Sequence, residues 1–311
     1  IQRVRKTSFT LAPEAGTQRL RDMINKGNTE ADLLAAADRV FSAGWRAVKL
    51  YFMIGLPGET AADMEGIAAL AHRVLEQGIK RGRVTVSLST FVPKAHTPFQ
   101  WERQIDLEET ADKQRLLKSR LGHRNIEVRW HDNRMSFLEG LFSRGDERLA
   151  DLIEKAYLLG CRFDGWSDQF QFARWEEALA AAGIESSLYQ RARNRSEELP
   201  WDHIDCGLDK AFLAREADRA VRGESTPDCR TEVCQDCGVC DHRVIARQIA
   251  VVSTSMSVTP QESKAPDQTW TAGKRYRIAF TKTGTCRFLA HLDVSTTLLR
   301  AMARSGIVFL F

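Results

Sequence analysis

The chain has 311 residues, 43% of them hydrophobic and 28% charged, and carries a net charge of +4. That is room for about two globular domains, and the charge is too small to establish a nucleic-acid partner. No run approaches the ~20 apolar residues of a membrane helix, and no secretory leader precedes the first strand. Residue 1 is Ile and the last six residues, Gly306 to Phe311, are almost wholly apolar, as expected of a chain cut at both ends.

The elements alternate. Val4 to Leu11 reads as a strand ending at Pro13-Glu14-Ala15-Gly16. Thr29 is the predicted N-cap of a helix whose apolar positions Leu33, Leu34, Ala37, Val40 and Phe41 recur at helical spacing, with Gly44 at its end. Ala47 to Ile54 reads as a short strand buried on both faces. The turn Gly55-Leu56-Pro57-Gly58-Glu59-Thr60 leads into a helix over 62–77. Val84 to Ser89 is a third strand, running into the proline-rich segment Phe91 to Phe99, and a helix follows over 107–121.

Ile126 to Trp130 is a candidate added strand. Residues 135–220 read as helical, with the aromatic residues between Phe163 and Trp175 packed among the helices. Residues 251–270 have linker composition, Tyr276 to Phe280 restarts as a strand, and a helix follows over 294–304. Short loops between strands and helices imply a parallel sheet, with ligands beyond the carboxyl ends of the strands. The loops at 13–16, 55–60 and 91–99 all fall at those ends. Three such strands cannot close a barrel, so further strands are expected upstream.

The order of these pieces resembles the second half of the radical S-adenosylmethionine barrel. The pieces are Pro13-Glu14-Ala15-Gly16 before a helix, Met53-Ile54-Gly55-Leu56-Pro57-Gly58 after the second strand, and Ser89 to Lys94 after the third. The resemblance covers roughly residues 1–121 and is strongest to the class with an N-terminal cobalamin-binding domain. It implies a fold: a partial (βα) TIM-like barrel over 1–134, a helical region with a four-cysteine metal site over 135–250, the linker, and the start of a small α/β domain over 271–311.

It also implies residue roles. Glu14 would hold the amino or ribose part of S-adenosylmethionine, with Ser8 a weaker candidate on the same strand. Arg19 would meet the methionine carboxylate. Ile54 and Gly55 would pack on adenine, and the backbone at Phe91 and Val92 would read its edge. Each has a plainer reading as surface carboxylate, core or turn. The family's C-x3-C-x2-C loop, which binds the reductive 4Fe-4S cluster, is absent, because no cysteine precedes Cys161. Reductive cleavage is therefore not expected of this chain alone. Cobalamin would bind through a domain outside this chain, an electron donor would reduce the cluster, and the catalytic residues are not identified.

Four of the seven cysteines, Cys229, Cys234, Cys237 and Cys240, fall within twelve residues. Clustering without a secretory leader indicates metal binding in a reducing, cytoplasmic setting. Thiolate-only ligation suits an iron–sulfur cluster or structural zinc. Asp241 and His242 are possible substitutes but read better as outer residues.

The isolated His96, His131, His203 and His291 point to no catalytic role, and Pro200 to Asp205 reads as a packing turn. Basic residues gather at Lys113 to Arg134 and Arg191 to Arg195, where a solvated face competes with RNA or phosphate contact. Three functions remain open. One is a fragment of a radical enzyme with an unknown substrate, RNA among the candidates. Another is a non-enzymatic four-cysteine module recognising RNA or protein. The third is a different α/β-barrel enzyme with structural zinc.

Overall fold

The structure is a computed structural model that describes residues 8–78, 82–242, 244–246, 280–283 and 290–305. The chain divides into two compact units, Ile1–Ile249 and Ala250–Phe311. In the first, four strands form one wholly parallel sheet in the order β1-β2-β3-β4: β1 (Phe9–Glu14), β2 (Ala47–Ile54), β3 (Arg83–Thr90) and β4 (Ile126–Trp130). Spatial order equals sequence order, with helices in every crossover: α1 (Gln18–Met23) and α2 (Glu30–Ser42), then α3 (Ala61–Gln77), then α4 (Leu107–Arg120). The architecture is mixed α/β, and the added strand over 126–130 is a full parallel member of the sheet.

Local sequence accounts for the helix starts. Thr29 accepts from the Asp32 amide while Asp32 bonds back to the Thr29 amide, a reciprocal cap. Asp106 and Glu109 do the same for α4. The short α1 starts on Thr17, whose hydroxyl accepts from the Leu20 amide.

The central strand corrects one expectation. Residues 47–54 are not buried on both faces; they alternate, with Val48, Leu50, Phe52 and Ile54 buried and Ala47, Lys49, Tyr51 and Met53 half-buried. The period of two in a strand puts these sets on opposite sides. The buried set joins Val84, Val86 and Leu88 of β3 and meets Leu33, Ala37, Met64, Ile67, Leu70, Val74 and Leu117 of the helices. Each fully buried aliphatic side chain here contributes roughly 2 kcal/mol. The other face is polar: register places Lys49 beside Thr10 and Thr85, and Thr85 beside Glu127, while Tyr51 lies beside Ser87 and Ser87 beside Arg129.

Beyond the sheet, α5 (Asn133–Ser143), α6 (Leu149–Leu158), α7 (Phe172–Ala182) and the short α8 (Ser187–Gln190) enclose a second core of Leu138, Leu141, Leu152, Phe172, Trp175, Ala178 and Tyr189. Phe172 and Trp175 are buried as expected, but Phe163 and Trp166 are 73% and 68% exposed. They lie in a turn that Phe163 enters at φ 57°, which carries the chain away from the core. Helix α9 (Lys210–Arg222) packs Leu213 and Ala217 against Trp101, Leu199 and Trp201. The turn at 200–205 is a packing turn: Trp201 is buried and donates 2.7 Å to Gln100 Oε1.

In the second unit, α10 (His291–Arg304) begins earlier than the helix expected from 294. The expected linker over 251–270, Cys286 and all of the expected strand over 276–280 except Phe280 lie outside the described residues, and Phe280 is not in a strand. Among the described residues, no helix is long and apolar enough to cross a membrane.

Candidate cofactor edge and metal centre

The carboxyl ends of β1, β2 and β3 converge. Ala15, Leu56 and Phe91, one from each following loop, share an apolar cluster with Leu20 and Met23 of α1 and Ala220 of α9. The approach is close at Gly16, where a Cβ would sit 2.3 Å from the Ile67 nitrogen and 2.4 Å from the Asp63 carbonyl oxygen. Only a residue without a side chain lets the β1 loop lie against α3.

Glu14 ends β1 with φ 66°, just past a register break after Leu11. Such a conformation is sparsely populated by non-glycine residues. Its carboxylate is half-buried and 3.0 Å from Lys26 Nζ. Arg19 donates to the buried carboxylate of Asp63 and, at 3.0 Å, to the Gly58 carbonyl.

Asp63 is the centre of this edge. It also accepts from the Thr17 hydroxyl and from the Thr60 amide and hydroxyl, at 2.8 and 2.7 Å for the latter two. Burial pushes the Asp63 carboxyl upward, but the donors from Thr17, Thr60 and Arg19 outweigh it and hold the group below the usual carboxylate range. Sequence reading missed Asp63, although the Thr-x-x-Asp spacing from Thr60 was a usable signal.

The second loop is held similarly. Gly55 adopts φ 83°, and its amide donates 2.9 Å to Glu59 Oε2, which pairs with Lys113 Nζ at 2.7 Å. A Cβ on Gly55 would lie 2.5 Å from Ile105 Cδ1, so the group approaching this glycine is the Ile105 side chain. A cavity of about 300 Å³ beside it is lined by Gly58, Glu59, Arg103, Glu109 and Lys113.

Ile54 is fully buried on the helix side of the sheet. Its neighbour Met53 faces the other way and lines a cavity of about 420 Å³ with Ser89, Thr90, Phe91, Val92 and Phe99. Strand alternation thus puts Met53, rather than Ile54, on the cavity side. Phe91 and Val92 are at the cavity, but the Phe91 amide is engaged 2.8 Å from the Ile54 carbonyl. Ser8 is exposed and precedes β1, at the opposite end of the strand from Glu14; six strand residues separate the ends by about 20 Å. Phe91 and Val92 therefore line the cavity at Met53 and Gly55 lines the other one, while Glu14 ends β1 and Arg19 lies on α1; Ser8 and the Ile54 side chain lie away from both cavities.

The cysteine segment follows α9. Cys229 is exposed, and Cys234, Cys237 and Cys240 are half-buried. Among the described residues, the one group of three or more donor side chains within 4.8 Å of each other is Cys234, Asp236 and His242. These three could hold a metal ion. The sulfur of Cys234 is 3.6 Å from His242 Nε2 and 3.8 Å from Asp236 Oδ1. Of the four cysteines, only Cys234 enters this group, because the chain turns at Asp236, Gly238 and His242, with φ of 52°, 92° and 57°. Those turns carry two side chains outside the cysteine set to the Cys234 sulfur. Asp236 gave no sequence signal beyond its place inside a C-x2-C pair.

The basic segments are engaged. Arg191 pairs with Glu197, Arg195 with Asp218, and Arg193 stacks over the Trp201 ring. Arg144 is fully buried and donates to the Gln190 and Arg191 carbonyls at 3.2 and 3.0 Å. Burial, reinforced by the Arg193 and Arg191 charges, pushes it down to about 10. In the earlier segment Lys113 pairs with Glu59, Arg120 with Glu65 and Arg129 with Glu127.

Comparison with known proteins adds relatives of unknown activity. Residues 275–311 match the family described as an uncharacterized protein conserved in bacteria (DUF2344). A stretch of 147 residues is 34% identical to the uncharacterized protein MJ0966 of Methanocaldococcus jannaschii, covering 47% of this chain and 32% of that protein. The chain thus spans about a third of the length of that curated relative. No solved structure matches the chain.

Proposed function

We propose that this chain supplies one wall of an S-adenosylmethionine-binding barrel in a radical enzyme. One observation carries the reading. Four parallel strands stand in sequence order with their helices on one face, and the loops after the first three meet at one edge. A barrel wall has this order, whereas an open doubly wound sheet reverses at a switch point. The polar second face, from Thr10 and Lys49 to Ser87 and Arg129, suits a lumen better than a second helical layer.

The residues fit the ligand in kind. The cavity at Met53, Ser89, Phe91 and Val92 is within the size range of small-molecule sites and offers aromatic and hydroxyl groups for a nucleoside. Glu14 offers a carboxylate to an ammonium or ribose, exchanging its Lys26 partner. Arg19 is already held by Asp63 and Gly58, so it positions the loop rather than a ligand. When bound, S-adenosylmethionine with a reduced 4Fe-4S cluster supplies the radical; the cluster's cysteines are not among these residues. In this reading cobalamin binds a different domain, an electron donor serves the cluster, and the substrate is a macromolecule such as RNA, in the cytoplasm.

The alternative, a metal module that recognises RNA or protein, draws less support, since Arg191, Arg193 and Arg195 are committed to internal partners. The test is equilibrium binding of S-adenosylmethionine to the purified chain. Saturable binding that weakens in Glu14→Ala and in Met53→Trp, which fills the cavity, is expected. Absence of binding, or binding indifferent to both changes, overturns the reading.

A further inference from the structure

We infer that Cys234, Asp236 and His242 are three ligands of a single divalent ion of the zinc class, in place of four thiolates on one ion. The inference is independent of the cofactor edge.

The distances support it first. Around one tetrahedral zinc, bonds of roughly 2.3 Å to sulfur and 2.1 Å to nitrogen or oxygen place neighbouring donors about 3.6 Å apart. The observed separations are 3.6 Å from sulfur to Nε2 and 3.8 Å from sulfur to Oδ1. All three donor atoms lie within 4.8 Å of one another. Four thiolates on one ion would need the same spacing, and no three cysteine sulfurs among the described residues meet it.

Donor chemistry is the second support. A mixed set of thiolate, carboxylate and imidazole is one that zinc accepts readily, whereas iron–sulfur clusters are held mainly by thiolates. The Asp236 amide points at the Cys234 sulfur from 3.5 Å.

The third support is how the loop is held. Asp236 and His242 both take left-handed backbone conformations, which few non-glycine residues adopt without a compensating interaction. The loop is anchored to α9 through its backbone: the Asp209 amide donates 2.9 Å to the Cys237 carbonyl and Arg215 donates 3.3 Å to the Asp236 carbonyl. Arg219 also reaches Gln235 Oε1 at 3.1 Å. The anchors leave the three side chains free to turn toward a common point. Three protein donors leave a fourth position for water.

The test uses the full chain, purified anaerobically, with zinc, iron and acid-labile sulfide measured, then stripped and titrated with Co²⁺ and Zn²⁺. Stoichiometric zinc is expected, with Co²⁺ giving tetrahedral d–d bands and a thiolate-to-cobalt band that Zn²⁺ bleaches. His242→Ala and Asp236→Ala should each weaken Co²⁺ binding by about tenfold or more, as removal of a ligand should exceed loss of an outer partner. Cys229→Ser should leave it unchanged. His242→Cys, which keeps a donor, should retain the tetrahedral bands and guards against a variant that merely unfolds. Iron with sulfide in place of zinc, no metal binding, or loss on Cys229→Ser with His242→Ala silent would each overturn the inference.

Discussion

Asp63→Ala removes the acceptor shared by Thr17 at the start of α1 and Thr60 at the start of α3. The carboxylate is 3% exposed and receives Thr17, Arg19 and, twice, Thr60. Loss of the α3 cap costs about 1 kcal/mol. Stranding the Thr17 and Thr60 hydroxyls adds about 1–2 kcal/mol, since bonds to a charged acceptor are the stronger kind. Arg19 is half exposed, so its pair adds less than about 1 kcal/mol. The total of about 3 kcal/mol lowers Tm by about 6–12 °C in a unit of this size. Calorimetry at neutral pH measures it. Because the folded carboxyl is held below its unfolded value, its contribution is complete above about pH 4 and lost as pH falls through the lowered value. The gap between wild type and variant should therefore be constant from pH 8 to about 5 and shrink below about 4. A Tm within about 2 °C of wild type at pH 7, or a gap that widens in acid, would refute the reasoning.

Gly16→Ala forces a Cβ into the α3 backbone and should cost more than about 3 kcal/mol, whereas Gly58→Ala meets nothing within 4 Å at φ 65° and should cost about 1 kcal/mol; urea melts of both separate the two causes. Lys113→Met leaves the Glu59 carboxylate, 2% exposed, without its cation and should destabilise by about 3 kcal/mol, read by the same melts. The Arg103 guanidinium, bonded at both nitrogens, holds Glu109 down to about 2. Its stabilisation is present above about pH 4.5 and disappears toward pH 2, so Glu109→Gln should differ from wild type at pH 7 and converge with it in acid.

The sequence by itself determined the strands over 47–54 and 126–130, the helix starts at Thr29 and near Leu107, and the presence of a metal-suited segment. These rest on short-range rules, namely side-chain period, capping and donor density, which act within a few residues. Only the tertiary structure decided which charged groups are paired with distant partners. Arg195 meets Asp218, Lys113 meets Glu59 and Arg19 meets Asp63 across separations that no local pattern encodes. The same holds at the cysteine loop, where Asp236 and His242, both at positive φ, lie with Cys234 in a donor group that no other cysteine among the described residues joins. Spacing counts residues, but coordination depends on where the backbone turns their side chains.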